Sequence, residues 1–279
     1  MQTPVQASGL PGVKHVIAVA SGKGGVGKST TTANLALALK AEGARVGVLD
    51  ADIYGPSQGM MLGIPSGTRP QPVGDKGMAP VDVHGLQVMS ISLLIDDETP
   101  MVWRGPMASG ALQQLVTQTE WDDLDYLLID MPPGTGDIQL TLSQKVAVDG
   151  AVIVTTPQDI ALLDAKRGIE MFRKVDIPVL GIVENMSTHI CSQCGHEEHI
   201  FGAGGGKQIA QDYETSLLGS LPLTLKIREQ ADSGSPTVVK EPDSSEAQAY
   251  RTIAQKLVSK LAEQTSASSK KPQIHIVQD

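Results

Sequence analysis

Short apolar runs alternate along the chain with longer segments in which apolar residues recur at helical spacing. The apolar runs predict strands buried on both faces, and the longer segments predict helices that cover a sheet. The predicted strands are 16–20, 45–49, 86–91, 126–130, 150–156, 179–183 and 217–222, and the predicted helices are 31–40, 106–118, 160–174, 207–213 and 244–264. This order predicts an α/β fold with a doubly wound, mostly parallel sheet and helices on both faces.

The same pattern suggests one domain with a tail at each end. A chain of 279 residues suits a single α/β domain of about 250 residues. We expect a flexible N-terminal tail over 1–13, the domain over 14–264 and a disordered C-terminal tail over 265–279. The many prolines and glycines over residues 63–85 predict an ordered loop segment that is not part of the core.

A glycine-rich loop joins the first predicted strand to the first predicted helix and fits the pattern G-x-x-x-x-G-K-[ST]. Strand, loop and helix occur in the order of a P-loop NTPase, in which glycines let backbone N–H groups turn inward on a polyphosphate. Lys28 is expected to neutralise the β and γ phosphates of ATP, and the Ser29 hydroxyl to bind Mg²⁺. The expected nucleotide-binding residues of the loop are Gly22, Lys23, Gly24, Gly25, Val26, Gly27, Lys28, Ser29 and Thr30.

Lys23 is a second lysine inside this loop. Because Lys28 suffices for the loop's own nucleotide, we expect Lys23 to point outward, toward a nucleotide bound by another subunit; a solvated lysine is the alternative. The loop resembles the deviant Walker A motif, K-G-G-x-G-K-[ST], of the ATPase class that includes the Min, partition and nitrogenase iron-protein ATPases. That resemblance implies a catalytic Lys23 that reaches across a nucleotide-sandwich dimer.

Acidic residues end two predicted strands. Asp50 and Asp52 follow the second strand, at the sheet edge where ligands of doubly wound folds bind. We expect Asp52 to position or deprotonate the attacking water and Asp50 to lie nearer the metal, although an acidic turn that caps a helix has the same spacing. Asp130 ends the strand 126–130 and is expected to hold Mg²⁺ through water, while the Gly134 N–H meets the γ-phosphate and moves when that group leaves.

Asn185 follows the strand 179–183 at the same edge. Its amide could pair with a donor and an acceptor on an adenine, but the same side chain could instead form hydrogen bonds that cap a turn of the backbone. Both interpretations stay open from the sequence alone.

The two cysteines of the chain, Cys191 and Cys194, stand three positions apart, so both sulfurs can reach one metal centre. Within the chain, His189, His196 or His199 would have to complete a zinc site. A second copy of the chain would instead give four thiolates, which suit zinc or a 4Fe-4S cluster equally well. A redox pair is the third interpretation.

Composition excludes several classes of partner. The net charge of −9 disfavours nucleic acid, and aromatic residues make up only 3% of the chain. The N-terminus contains neither a secretion signal nor a membrane span, so we expect a cytoplasmic protein without a membrane partner. In that compartment a structural disulfide between the two cysteines is not expected.

Several long motifs in fixed order resemble the Mrp-type iron-sulfur cluster carrier ATPases. The resemblance rests on the P-loop and on 50–57, Trp103-Arg104-Gly105-Pro106, 130–137, 184–187 and Cys191-x-x-Cys194. It implies a homodimer that binds a bridging 4Fe-4S cluster through Cys191 and Cys194 of both subunits, with ATP coupled to loading of the cluster or its delivery to apo iron-sulfur proteins. The leading hypothesis is therefore a cluster carrier that hydrolyses ATP slowly. It also implies adenine contacts from Asn185 and the Pro222 region. The competing hypotheses are a Min- or partition-type positioning ATPase and an ATPase with a cysteine-bound structural zinc.

Overall fold

A single eight-stranded sheet organises the described part of the chain. The computed structural model describes residues 9–95, 105–191 and 193–268. The sheet has the strand order β12-β9-β8-β1-β7-β2-β6-β5, and all neighbours are parallel except β5 and β6. In the described residues the strands are β1 Val13–Ala20, β2 Val46–Asp50, β3 Pro72–Val73, β4 Gly77–Met78, β5 Val81–Val83, β6 Leu86–Ser90, β7 Leu124–Asp130, β8 Gly150–Thr155, β9 Val179–Glu184, β10 His189–Ile190, β11 Glu197–Glu198 and β12 Leu217–Ser220.

Helices connect the strands and cover both faces of the sheet. They are α1 Lys28–Ala41, α2 Gln58–Met61, α3 Gly105–Gln118, α4 Asp137–Lys145, α5 Asp159–Lys174, α6 Gly205–Asp212, α7 Leu225–Asp232, α8 Thr237–Lys240 and α9 Ser245–Ser268, with a 3-10 turn at Ile91–Leu93. The predicted doubly wound α/β architecture is therefore confirmed.

Each face of the sheet has its own apolar core. Ile17 and Val19 of β1 pack in a cluster with α1 and α9, whereas Val16, Ala18 and Ala20 pack in a second cluster with α3 and α5. Successive strand residues point to opposite faces, so a central strand covered on both sides must be apolar throughout. That requirement explains the uninterrupted apolar run at the start of the chain.

Two expectations about irregular segments need correction. Residues 63–85 are not wholly outside the core, because β5 pairs antiparallel with β6 at the sheet edge and Val81 and Val83 pack on the core. Helix α9 continues through Ser268, so 265–268 of the expected C-terminal tail are helical. The rest of that tail, residues 1–8 and the pair Trp103-Arg104 lie outside the described residues.

The sheet order brings the candidate site residues together at one edge. β7 lies between β1 and β2, and Asp50 is paired in register with Asp130, which is also paired with Val19. The P-loop leaves the same end of β1. Within the described residues, no helix has the length and apolar character needed to span a membrane.

Candidate nucleotide and thiol sites

The P-loop turns tightly between β1 and α1. Gly25 and Gly27 have φ of 80° and 81°, in the left-handed region, and the Thr31 N–H donates to the Gly27 carbonyl at 2.9 Å as α1 begins. A Cβ at Gly22 would collide with the backbone of Asp164 in α5, so this position has no room for a side chain. The backbone has the shape of an anion cradle at a helix N-terminus.

The other loop residues divide between core and surface. Val26 is buried, Gly24 is exposed, and the Thr30 hydroxyl contacts the sulfur of Met61 at 4.0 Å. Lys23 is half-buried, and its side chain makes no hydrogen bond or ion pair with any other residue that the structure describes. A lysine in this position is available to a group outside the chain.

Lys28 lies over the acidic end of β7. Its Nζ is 2.6 Å from Asp130 Oδ1, 3.1 Å from Ser29 Oγ and 4.0 Å from Asp52 Oδ2, and the lysine is 6% exposed. A charge this deeply buried needs a counter-ion. Asp130 is that counter-ion here, so Lys28 must exchange this partner to reach a phosphate.

Asp50 is a fully buried carboxyl at the end of β2. Its Oδ2 accepts from the N–H groups of Ser57 (2.9 Å) and Gln58 (3.0 Å) and from the Ser90 hydroxyl (3.1 Å). Burial, with the neighbouring charge of Asp130, raises the pKa of Asp50 to about 7. When both buried carboxyls are ionised, the single positive charge of Lys28 does not balance them, and a divalent cation would supply the missing positive charge.

Asp52 lies at the rim of this acidic group. Its Oδ1 accepts from the Gly55 N–H at 3.3 Å, and burial raises its pKa. The alternative from the sequence, a helix-capping turn, is partly realised by Asp50, which receives N–H groups at the start of α2. Both carboxyls therefore shape the 50–57 loop as well as the site.

The segment after β7 closes over the P-loop. The Gly134 N–H donates to the Ser21 carbonyl at 2.9 Å, and Gly134 has φ of 95°. The buried Gln139 amide holds the same segment by donating to the carbonyls of Pro132 and Pro133 at 3.0 and 2.8 Å. The Gly134 N–H has to leave Ser21 before it can meet a phosphate.

Asn185 packs directly on the P-loop. Its Nδ2 donates to the Val26 carbonyl at 2.8 Å, and a Cβ at Gly27 would collide with that same amide. Pro222 follows β12 at the same edge, where the Leu221 carbonyl accepts from the Ser187 N–H at 3.0 Å. The structure thus places Asn185 on the loop and Pro222 next to the Ser187–Leu221 contact, and the adenine contact stays a prediction.

Cys191 and Cys194 lie at the tip of the small β10–β11 hairpin. The Cys191 N–H donates to the His196 carbonyl at 2.9 Å, and the Gly195 N–H, with φ of 70°, donates to the Cys191 carbonyl at 2.8 Å. The backbone N–H groups of Gln193 and Cys194 point at the Cys191 sulfur and lower the pKa of its thiol. The turn is therefore arranged for a thiolate, with both thiols free and reachable from solvent.

The three nearby histidines have other contacts. Nδ1 of His189 is 3.2 Å from the Leu223 carbonyl, Nδ1 of His199 is 2.9 Å from the Ser187 carbonyl, and Nε2 of His196 is 3.8 Å from Glu198. Over 9–95, 105–191 and 193–268, no three histidine, cysteine or acidic side chains are grouped to hold a metal ion. The zinc site considered from spacing is therefore not assembled in this part of the chain.

Three polar residues of the acidic site did not follow from the motifs. Thr32 Oγ1 is 3.1 Å from Asp130 Oδ1, Ser90 donates to Asp50, and Gln58 Nε2 donates to Asp130 Oδ2 at 2.8 Å. Thr32 could have been inferred, because it follows Lys28 by four residues on one helix face. Ser90 is 40 residues from Asp50, and Gln58 is 72 residues from Asp130, so no short sequence pattern indicates either contact.

This arrangement agrees with the comparisons with known proteins. Residues 12–258 match the model of a ParA family described as NUBPL iron-transfer P-loop NTPase. The chain belongs to this family. As expected for a P-loop NTPase of the NUBPL type, the glycine loop, Lys28 and the two strand-end aspartates meet at one sheet edge.

Curated relatives of this NUBPL-type NTPase share most of its length. It is 68% identical over 249 residues to an iron-sulfur cluster carrier protein of Pseudomonas fragi, covering 89% of this chain and 87% of the relative. It is 60% identical to the protein of that name in Escherichia coli K12, covering 91% and 68%. It is 50% identical to the mouse iron-sulfur cluster transfer protein NUBPL, covering 93% and 83%.

Solved structures show the same fold. A nucleotide-binding protein from Archaeoglobus fulgidus in complex with ADP superimposes with a TM-score of 0.72 at 37% identity, covering 85% of this chain and 91% of that one. The Pyrococcus furiosus cell division ATPase MinD gives a TM-score of 0.66 at 24% identity, covering 88% and 98%. The MinD likeness concerns the fold alone.

Proposed function

We propose that this protein is an ATP-dependent iron-sulfur cluster carrier that works as a homodimer in the cytoplasm. Cys191 and Cys194 of two copies hold one 4Fe-4S cluster, and the protein passes it to apo iron-sulfur proteins while hydrolysing ATP slowly. The observation that carries this proposal is the pair of solvent-accessible thiols at the hairpin tip, where backbone N–H groups point at the Cys191 sulfur and the pair supplies half of a four-ligand set. The names of relatives with up to 68% identity support it.

In the nucleotide half of the proposal, the P-loop N–H groups from Gly22 to Thr30 bind the phosphates of ATP. Lys28 would leave Asp130 for the β and γ phosphates. Ser29 and, through water, Asp130 would hold Mg²⁺, with Asp50 near the ion. The present ion pair of Lys28 with Asp130 supports this, because it keeps the lysine at the mouth of the loop. Asn185 and the Pro222 region contact the adenine.

Hydrolysis needs an oriented water and stabilisation of charge on the γ-phosphoryl group. Asp52 orients the water, which forms a bond to the γ-phosphorus as the bond from that phosphorus to the β–γ bridging oxygen breaks. The products are ADP and inorganic phosphate, and one proton of the water is released to solvent. Lys28 and Lys23 of the second copy offset the negative charge. The Lys23 side chain has no hydrogen bond or ion pair with another described residue, and this supports its role across a dimer.

In the cluster half, the two thiolates bind iron and release it by exchange. A recipient thiolate replaces a carrier thiolate on the same iron, and the proton lost by the recipient thiol returns to the carrier sulfur, so no electron is transferred. The N–H groups that point at Cys191 stabilise its thiolate and suit reversible binding. Ile190 and Ile200 flank the pair and are half-exposed, which supports an interface with a second chain.

The two halves are joined by a short run of hydrogen bonds. Asn185 holds the P-loop at Val26, Ser187 is bonded to Leu221, and the Leu223 N–H donates to the Thr188 carbonyl at 2.7 Å. The hairpin with the cysteines begins at His189, the next residue. We propose that nucleotide-driven movement of the P-loop reaches the cluster by this route, with residues 14–264 acting as one unit.

The test separates the two sites by mutation. Anaerobic reconstitution with iron and sulfide should give a brown 4Fe-4S absorbance in the parent and in Lys28→Ala, but not in Cys191→Ser. ADP binding should be lost in Lys28→Ala and kept in Cys191→Ser. Retained cluster binding in Cys191→Ser would refute the site, and purification with stoichiometric zinc and no brown absorbance would favour a structural zinc ATPase.

A further inference from the structure

Gln58 is a completely buried glutamine with no role in the reaction proposed above. It begins α2, directly after the 50–57 loop, and is 0% exposed. Its backbone N–H donates to Asp50 Oδ2 at 3.0 Å, and its Nε2 donates to Asp130 Oδ2 at 2.8 Å and to the Ser29 carbonyl at 3.0 Å. One residue thus joins the ends of β2 and β7 to the first turn of α1.

The two oxygens of Asp130 have different partners. Oδ1 receives Lys28 Nζ and lies 3.1 Å from the Thr32 hydroxyl, whereas Gln58 is the donor found for Oδ2 among the described residues. When Lys28 moves to a phosphate, Oδ1 loses its charged partner. Thr32 and Gln58 then remain to fix the orientation of this carboxylate.

The amide of Gln58 also has an unused acceptor. The two Nε2 hydrogens point to two acceptors, an oxygen of Asp130 and the Ser29 carbonyl oxygen. If the amide were flipped, Oε1 would lie against both of these oxygens with no hydrogen between them, so the orientation is fixed. In this orientation Oε1 is buried and has no partner among the described residues. A buried acceptor without a donor is destabilising, and water on a magnesium ion is a donor of the kind it lacks, because bound Mg²⁺ keeps several of its waters.

We propose that Gln58 is a positioning residue for the nucleotide-bound magnesium. It holds Asp130 through Nε2, offers Oε1 to a water of the ion, and transmits occupancy of the metal site to the 50–57 loop through its backbone bond to Asp50. This inference rests on the proposed function, since it assumes that ATP and Mg²⁺ bind at the P-loop. Residues that orient metal-binding groups in this way typically change metal affinity by 10–100-fold when they are replaced.

The test measures Mg²⁺ binding in place of turnover. Gln58→Met keeps the volume and flexibility of the side chain but removes both amide functions. ADP is titrated in EDTA, and Mg²⁺ is titrated in a separate experiment, without EDTA, into the complex with ADP. Relative to the parent, Gln58→Met should bind Mg²⁺ about tenfold more weakly, and its affinity for ADP in EDTA should stay within about twofold.

Gln230 offers a matched control. It is also a buried glutamine, its Nε2 donates to a carboxylate (Glu241, 3.0 Å), and its Oε1 also lacks a partner among the described residues, but it lies on α7. Gln230→Met should leave both affinities unchanged. Gln58→Asn, which keeps an amide but shortens its reach by one methylene, is the second variant and should show the same selective loss.

The outcomes separate the two proposals. Unchanged Mg²⁺ affinity in both Gln58 variants would overturn the positioning role, as would an equal loss of ADP affinity in EDTA, since that would indicate a general collapse of the loop. Failure of the parent protein to bind ADP would instead refute the proposed function.

Discussion

The contact between Gly27 and Asn185 gives a direct test of the P-loop geometry. Gly25 and Gly27 have the same left-handed backbone, with φ of 80° and 81°, but only Gly27 faces a neighbour. A Cβ at Gly25 would meet nothing within 4 Å, whereas a Cβ at Gly27 would collide with the Asn185 amide. The two alanine variants therefore share one cost and differ in a second.

The magnitudes follow from those two costs. An alanine held in the left-handed region destabilises the folded state by about 1–2 kcal/mol. Alanine also lowers the conformational entropy of the unfolded chain, which offsets about 0.4–1 kcal/mol of that cost. Gly25→Ala should therefore lower the free energy of unfolding by about 1 kcal/mol. Gly27→Ala also displaces Asn185 from the buried Val26 carbonyl, which adds about 1–3 kcal/mol.

The assay is urea unfolding of the nucleotide-free protein, for each variant alone and in an Asn185→Ala background. Removing the Asn185 side chain removes the collision, so the difference between Gly27→Ala and Gly25→Ala should fall to within about 0.5 kcal/mol, the usual limit of additivity. An equal effect of the two glycine variants, or a difference that persists without Asn185, would refute this account of the loop.

Three further predictions concern charge and thiol chemistry. The pKa of Asp50 is raised to about 7, so the folded protein keeps a proton on this carboxyl that the unfolded chain releases at lower pH. The free energy of unfolding in EDTA should therefore fall as pH rises from about 4 to about 7. Urea unfolding should show a weaker dependence of stability on pH in Asp50→Asn, and an equal dependence would contradict the assignment. Lys23→Ala should keep ADP affinity within about threefold (less than about 0.7 kcal/mol) but lose ATP-dependent dimerisation in sedimentation, whereas loss of ADP binding would place Lys23 in its own site. Because the backbone N–H groups of Gln193 and Cys194 lower the pKa of the Cys191 thiol, alkylation of Cys191 in the Cys194→Ser variant should have its midpoint at a lower pH in the folded protein than after unfolding in urea, and coincident midpoints would be inconsistent with the N–H contacts.

Much of the fold followed from the sequence because the sheet is covered on both faces. A run such as Val16–Ala20 must be apolar at every position, and the glycines at 22, 25 and 27 mark a tight loop at its end. Helix ends were less accurate: α9 extends to Ser268 because polar residues continue an exposed helix without an apolar signal. β5 was missed since an edge strand of three residues has little periodicity.

Part of the candidate site was visible in the sequence, and part depends on tertiary contacts. Lys28 and the aspartates at the strand ends followed from their place in motifs, because parallel strands bring their carboxyl ends to one edge. The contact of Asn185 with Val26 and that of Gln58 with Asp130 join residues 159 and 72 positions apart. Only the fold brings such pairs together, and no short pattern predicts them.

Native mass spectrometry of the reconstituted protein tests the central claim most directly, because it weighs the metal centre together with the chains that hold it. The account predicts a species of two chains and one 4Fe-4S unit that is absent in Cys194→Ser, while Cys194→Ser still binds ADP. A cluster carried by a single chain, or a two-chain species that keeps its iron and sulfide in Cys194→Ser, would contradict the claim that two copies share the centre.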